Sequence, residues 1–171
     1  MSRPLLRLRP PIAADARAFV AAHETFSREN FEFGLGFAPN APFTDFIESV
    51  NEKRHGRNLL DGRVAASFLL AIVDGSIVGR VSVRFALNEF LSSFGGHIGY
   101  AVLPEHRGRG FATEMLSQAL VIARAEGVDR VLVTCDEDNV GSVRTIERNG
   151  GVLENRVTRP GGSVTRRYWI D

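Results

Sequence analysis

The chain has 171 residues, 44% apolar and 24% charged, a profile that fits one soluble globular domain spanning 1–171 with a buried core and excludes a disordered or fibrous chain. A net charge of +1, carried almost wholly by scattered arginines with Lys53 as the only lysine, gives no global field toward nucleic acid or a membrane surface, so neither is expected as a partner. The single cysteine, Cys135, rules out an intrachain disulfide or a cysteine zinc cluster, and without a signal-peptide core or a transmembrane run a cytoplasmic location is expected.

In chain order, residues 5–9 read as a first strand, stopped by Pro10 and Pro11. Residues 13–23 carry helical spacing at Ala16, Phe19, Val20 and Ala22. Residues 26–46 hold half of the twelve phenylalanines (Phe26, Phe31, Phe33, Phe37, Phe43 and Phe46), broken by Gly34, Gly36, Pro39 and Pro42, so no long regular element fits. Thr44 or Asp45 is the expected cap of a second helix ending near Arg54. From residue 65 the pattern turns to strands: 65–73 and 77–85 around Asp74-Gly75-Ser76 predict a hairpin. A strand at 97–103, a helix at 110–126 closed by Gly127, a strand at 128–135, a short helix at 139–149 and a hairpin of strands 152–157 and 164–170 complete the chain. A β-α-β unit across 97–135 implies a parallel pair with a right-handed crossover, whereas the hairpins imply antiparallel neighbours. The expected class is α/β (α+β), with a central mixed antiparallel and parallel sheet flanked by helices.

The informative segment is Leu103-Pro104-Glu105-His106-Arg107-Gly108-Arg109-Gly110-Phe111-Ala112-Thr113. A strand enters a glycine turn that opens an amphipathic helix. The first amides of a helix lack internal partners and its dipole is positive there, and glycines admit a close ligand, so the turn suits a pyrophosphate. A P-loop would need Gly-Lys-Ser/Thr, which is absent, and the dinucleotide fingerprint would need a third glycine where Thr113 stands.

Arg107-Gly108-Arg109-Gly110-Phe111-Ala112 instead resembles the Arg/Gln-x-x-Gly-x-Gly/Ala signature of the GNAT superfamily of N-acetyltransferases. Asn139 with Ser142, ending in Asn149-Gly150-Gly151, resembles that superfamily's second element. The likeness leans to the ribosomal-protein-acetyltransferase-like branch. It implies a single GNAT domain, with an acceptor-side segment at about 13–56, an acetyl-CoA-binding core at about 65–157 and a C-terminal hairpin at 152–170. It further implies acetyl-CoA as co-substrate, no metal, and direct transfer of acetyl to a primary amine in a ternary complex. The two parallel strands would splay about the coenzyme. Val102 and Leu103 would contact pantetheine, residues Arg107, Gly108, Arg109, Gly110, Phe111, Ala112 and Thr113 would hold the pyrophosphate, and Asn139 and Ser142 would touch the coenzyme from the second helix.

For catalysis, His97 stands where many members place a glutamate, and it shares a strand face with Gly99 and Ala101. It reads either as the base or as a packed strand residue, with Glu89 in the preceding loop as the second candidate and a water chain as the third. The member tyrosine seven residues after Asn139 is replaced by Ile146, which leaves Ser142 as the candidate proton donor to the thiolate, or as a plain helix-start residue. Cys135 reads as a small core residue rather than a nucleophile. Tyr168 and Trp169 read as packing, and His23, His55 and His106 carry no role. The phenylalanines either cover the core or form an acceptor lid, with Glu24, Glu29 and Glu32 nearby to attract a cationic amine. The acceptor is a small-molecule or peptide amine, and the protein is a monomer or homodimer. The competing reading is a non-catalytic acetyl-CoA-binding module.

Overall fold

The computed structural model describes residues 5–171. Seven strands, β1 (Leu6–Arg9), β2 (Ala66–Val73), β3 (Ser76–Arg84), β4 (Ile98–Val102), β5 (Val131–Asp136), β6 (Val152–Thr158) and β7 (Val164–Ile170), form one sheet in the order β1-β2-β3-β4-β5-β7-β6. Four helices flank it: α1 (Ala16–Ser27), α2 (Phe43–Arg54), α3 (Phe111–Ala125) and α4 (Val140–Arg148). The β4–β5 pair is parallel and every other neighbouring pair is antiparallel, so the sheet is mixed, as the element order predicts.

Strand alternation sorts the side chains onto two faces. On one face Val81, Val83, Ile98, Val131, Val133 and Tyr168 join Met115, Leu116 and Ala119 of α3 and Ile146 of α4 in one core. On the other, Phe68, Leu70 and Ala101 meet the α1–α2 side. There Phe19, fully buried, takes ring contacts at 4.9–6.2 Å from Phe33, Phe37, Phe43, Phe46 and Phe68. The phenylalanine-rich segment therefore closes a core beneath a long loop; Phe26, Phe33 and Phe46 are buried and Phe31 is 37% exposed.

The element ends differ from sequence expectation for local reasons. A 3-10 turn (Ala13–Asp15) precedes α1, held by the Asp15 carboxylate, which accepts from the Ile12 amide at 2.8 Å and from both terminal nitrogens of Arg9 at 2.7 Å. The first helix then runs on to Ser27. At α2 neither Thr44 nor Asp45 caps; the cap position is Pro42 without a side-chain bond. The strand expected at 97–103 shortens to five residues. Gly96 turns into it with a φ of +63°, and the chain after Leu103 winds into a 3-10 turn (Pro104–His106). A π-turn (Leu91–Gly95) ahead of β4 has no forewarning in the sequence pattern. Between β2 and β3, Asp74 and Gly75 have φ of +48° and +79°, the paired left-handed geometry of the tight hairpin that Asp-Gly predicts.

Candidate active site

β4 and β5 touch through a single ladder pair, Ile98 with Val133. The Arg84 amide bonds the His97 carbonyl and the Leu103 amide bonds the Val78 carbonyl, so odd-numbered β4 residues from 99 on turn their peptide groups to β3. By alternation, the peptide groups of Tyr100 and Val102 face β5, where the strands have already diverged. The result is an open strand edge lining a wedge, a place for an extended ligand to add itself as a strand. Val102 fits the expected contact, since its carbonyl faces the wedge and accepts from Arg107 Nε at 3.1 Å. Leu103 does not: its amide is bonded to Val78, its carbonyl accepts from His106, and its side chain is buried.

At the wide end of the wedge lies the glycine turn. Gly108 and Gly110 have φ of +75° and +81°, a conformation that costs an L-residue about 1–2 kcal/mol. A Cβ on Gly108 would meet no heavy atom within 4 Å, so conformation, and not space, calls for glycine there. Gly110 is the N-cap of the fifteen-residue α3, and no side chain caps the helix. The amides of Phe111, Ala112 and Thr113, in the first turn of this helix, carry the positive end of its dipole, a fit for an oxyanion. Arg109 is exposed and makes no ion pair among the described residues. Arg107 is engaged, reaching Glu29 with both terminal nitrogens, the shorter contact at 2.6 Å.

The second element closes the wedge from the α3 face. Asn139 caps α4 by accepting from the Ser142 amide at 3.0 Å. Asn149, at the other end of α4, donates to the carbonyls of Thr113 and Thr145 at 3.2 and 2.9 Å, which ties this helix to the first turn of α3. The two sequence elements are thus brought to one site. The Tyr100 hydroxyl lies against Ser142 and Thr145, buried but without a hydrogen bond of good geometry. Burial pushes it up to about 12, so it is a neutral phenol. Cys135 is buried, and its thiol is pushed up to about 11 by burial, partly offset by Arg166. It is not a thiolate near neutrality, in keeping with a core residue.

His97 is buried at the narrow end, its Nδ1 accepting from the Leu132 amide at 2.9 Å while its own amide donates to the Leu132 carbonyl at 2.7 Å. A neutral imidazole with Nδ1 as acceptor carries its proton on Nε2 and has no second lone pair to offer. Of the two sequence readings of His97, base or packed strand residue, this hydrogen bonding matches the geometry of the second. Glu89 is exposed on the turn before β4. Glu29 and Glu32 are also engaged, Glu29 with Arg107 and Glu32 with the Gly36 amide at 2.7 Å. On the α1–α2 face stand two arginines that the sequence reading passed over. Arg80 and Arg84 project from β3 over Gly99, each with a terminal nitrogen within 3.8 Å of the position its Cβ would take. Burial, then Arg84, brings Arg80 down to about 10. The Tyr100 hydroxyl was likewise missed; its spacing to Ser142 exists only in three dimensions.

Among the described residues no three His, Cys, Asp or Glu side chains converge as a metal site, and no helix is long and apolar enough to cross a membrane.

Residues 6–152 match the family model of the acetyltransferase (GNAT) domain. An uncharacterized N-acetyltransferase, YjdG of Bacillus subtilis (strain 168), is 31% identical over 74 residues, which cover 43% of this chain and 40% of that protein. Among solved structures, the acetyl transferase of Salmonella typhimurium that modifies the N-terminal serine of ribosomal protein L7/L12 superposes with a TM-score of 0.68 at 17% identity, over 99% of this chain and 97% of that one. The putative acetyltransferase yncA of Salmonella typhimurium, solved with acetyl-CoA, gives 0.65 at 13% identity, over 97% and 93%. At such identities the structural likeness is one of fold.

Proposed function

The chain belongs to the GNAT acetyltransferase domain family, and from that premise we propose that it is an acetyl-CoA-dependent N-acetyltransferase acting on a primary amine within a ternary complex. The observation that carries this reading is the β4 edge, unpaired with β5 beyond Ile98 and leading directly to the glycine turn that opens α3. A phosphopantetheine arm has both features of a complementary ligand, amides that pair with a strand edge and a pyrophosphate that suits a helix N-terminus. The acetyl-CoA bound to yncA supports the same assignment.

When bound, acetyl-CoA supplies a thioester whose acyl carbon accepts the amine. In this reading the amides of residues 108–113 and Arg109 hold the pyrophosphate, Val102 pairs with pantetheine, Asn139 fixes the start of α4, and a Tyr100 or Val102 amide facing the wedge polarises the thioester carbonyl. The amine nitrogen forms the new bond to the acyl carbon and the C–S bond breaks. Ser142, supported by the Tyr100 phenol, gives the departing thiolate a proton. The ammonium proton passes to a carboxylate, Glu89 on the turn before β4 or Glu32 on the segment between α1 and α2. Arg80 and Arg84 favour the neutral amine by repelling the charged one. His97 acts as the clamp that sets the narrow end of the wedge.

The test joins two measurements on the full chain. Coenzyme A should raise the melting temperature by binding the folded state, and thiol release from acetyl-CoA should depend on added amine. A thermal shift without amine-dependent release would identify a binding module instead, and no shift at millimolar coenzyme A would remove the coenzyme assignment.

A further inference from the structure

A cleft of about 470 Å³ opens on the α1–α2 face, between α2, the ends of β2 and β3, and the turn before β4. Its wall includes Lys53, Arg63 and Arg84, against one carboxylate, Glu32. None of the three cations forms an ion pair among the described residues. Arg84 spends Nη1 on the carbonyls of Gly95 and Gly96, at 3.3 and 3.2 Å, and Lys53 donates to the Leu35 carbonyl at 3.2 Å. These bonds orient the cations without neutralising them. Behind the wall Arg80, 4% exposed, has a buried Nε with no partner. Neighbouring cations repel, Arg80 with Arg84, Arg84 with Arg63, Arg63 with Lys53, and the one carboxylate, Glu32, offsets this in part at Arg80 and Lys53. Holding like charges together in a half-buried cleft is unfavourable in the free protein, and an anion in that cleft would relieve it.

The position of the cleft gives that anion a role. Ser82 in its floor is the cross-strand partner of Gly99, and Arg84 stands over Gly99. The next residue, Tyr100, turns its peptide group into the wedge. An anion on Arg84 therefore lies one strand residue from the site where acetyl transfer is placed under the reading above.

We propose that this cleft is the acceptor pocket and that the acceptor is a small amine also bearing an oxyanion, held by Arg84, Arg63 and Lys53 while its amine is directed toward Gly99. The inference rests on the acetyltransferase reading. It inverts the expectation of an acidic acceptor site at Glu24, Glu29 and Glu32. Carboxylate and phosphate share the chemistry that guanidinium and ammonium groups recognise.

The test pairs each anionic amine with a neutral counterpart: amino acids with their α-amides, and phosphoethanolamine with ethanolamine. Thiol release from acetyl-CoA and calorimetric binding of each amine are followed on the full chain. An anionic member favoured at least about tenfold, corresponding to ~1.4 kcal/mol, supports the proposal, and the arm in which it falls says whether the anion is a carboxylate or a phosphate. Arg84→Gln should raise the KM for that acceptor by about tenfold or more, with less effect on kcat. Arg63→Ala, at an exposed residue, should raise it severalfold and serves if Arg84→Gln does not fold. Equal use of neutral counterparts, preference for polycationic amines or peptides without acidic groups, or no binding in either arm would each overturn it. A retained thermal shift with coenzyme A in those cases would leave the coenzyme reading standing.

Discussion

His97 and Leu132 are joined by two hydrogen bonds, one from the Leu132 amide to the imidazole Nδ1 at 2.9 Å and one from the His97 amide to the Leu132 carbonyl at 2.7 Å. They stitch β4 to β5 just where the two strands begin to part. His97→Ala leaves the Leu132 amide without its acceptor, so a stability loss of about 1–3 kcal/mol is expected, readable by urea denaturation. Burial, then Arg84, holds the imidazole below its ordinary 6.5, so as pH falls the unfolded chain binds the proton first. The stability supplied by the clamp is intact above about pH 6.5 and declines below it. His97→Asn, which keeps an acceptor but cannot titrate, should flatten that decline in melting temperature between pH 7 and 5. A large rate loss in a stable His97→Asn, with the acidic limb of the pH–rate profile altered, would restore the histidine as base.

Gly108 has room for a side chain but a φ of +75°. Gly108→Val should therefore pull the turn out of its left-handed conformation, weakening coenzyme A by about tenfold, the equivalent of ~1–2 kcal/mol, while the domain stays folded. Calorimetric titration of the variant is the check. Wild-type affinity in a folded variant would locate the pyrophosphate elsewhere.

Tyr100 lies against Ser142 as a buried neutral phenol. If the pair protonates the thiolate, Ser142→Ala and Tyr100→Phe should each lower kcat by up to about 10², with little change in the KM for acetyl-CoA. The double variant should fall by less than the product of the two, since residues acting as a unit are not additive. Full activity in Tyr100→Phe would reduce the tyrosine to a packing role.

Arg107, expected to add charge at the phosphate turn, is neutralised by Glu29 at 2.6 Å. Glu29→Gln should release it and tighten coenzyme A binding by about two- to fivefold at low salt, the gain fading as ionic strength rises. Binding isotherms at two salt concentrations decide the point. Weaker binding in the variant would mean that Glu29 orients Arg107 for the ligand.

Strand alternation, the Asp-Gly turn, the glycine turn and the Asn-x-x-Ser element are local patterns, and they made the sheet class and the two helix starts of the candidate site legible in the sequence. Other features lay beyond local pattern. The division of β4 into a paired first residue and a free edge depends on how α3 and α4 seat against the sheet. The assignment of His97 turned on the Leu132 amide, 35 residues away in sequence. The arginines at 80 and 84 look like ordinary surface cations on an alternating strand. Only the covering segment that runs from α1 to α2 buries Arg80, its Glu32 carbonyl accepting from Nη2 at 3.2 Å.

The short seam between β4 and β5, one ladder pair and the two His97–Leu132 bonds, also has a mechanical meaning. Within the one sheet this seam divides β1-β2-β3-β4 from β5-β7-β6, and these two panels are otherwise joined by the apolar layer beneath α3 and α4 and by bonds from Thr134 and Arg167 to the turn before β4. Panels joined this way open as separate cooperative units. Amide exchange in the free protein should therefore show two protection levels, one per panel. A ligand bridging the free edge of β4 would weld them into one, so the coenzyme would act as an eighth strand as well as a reactant.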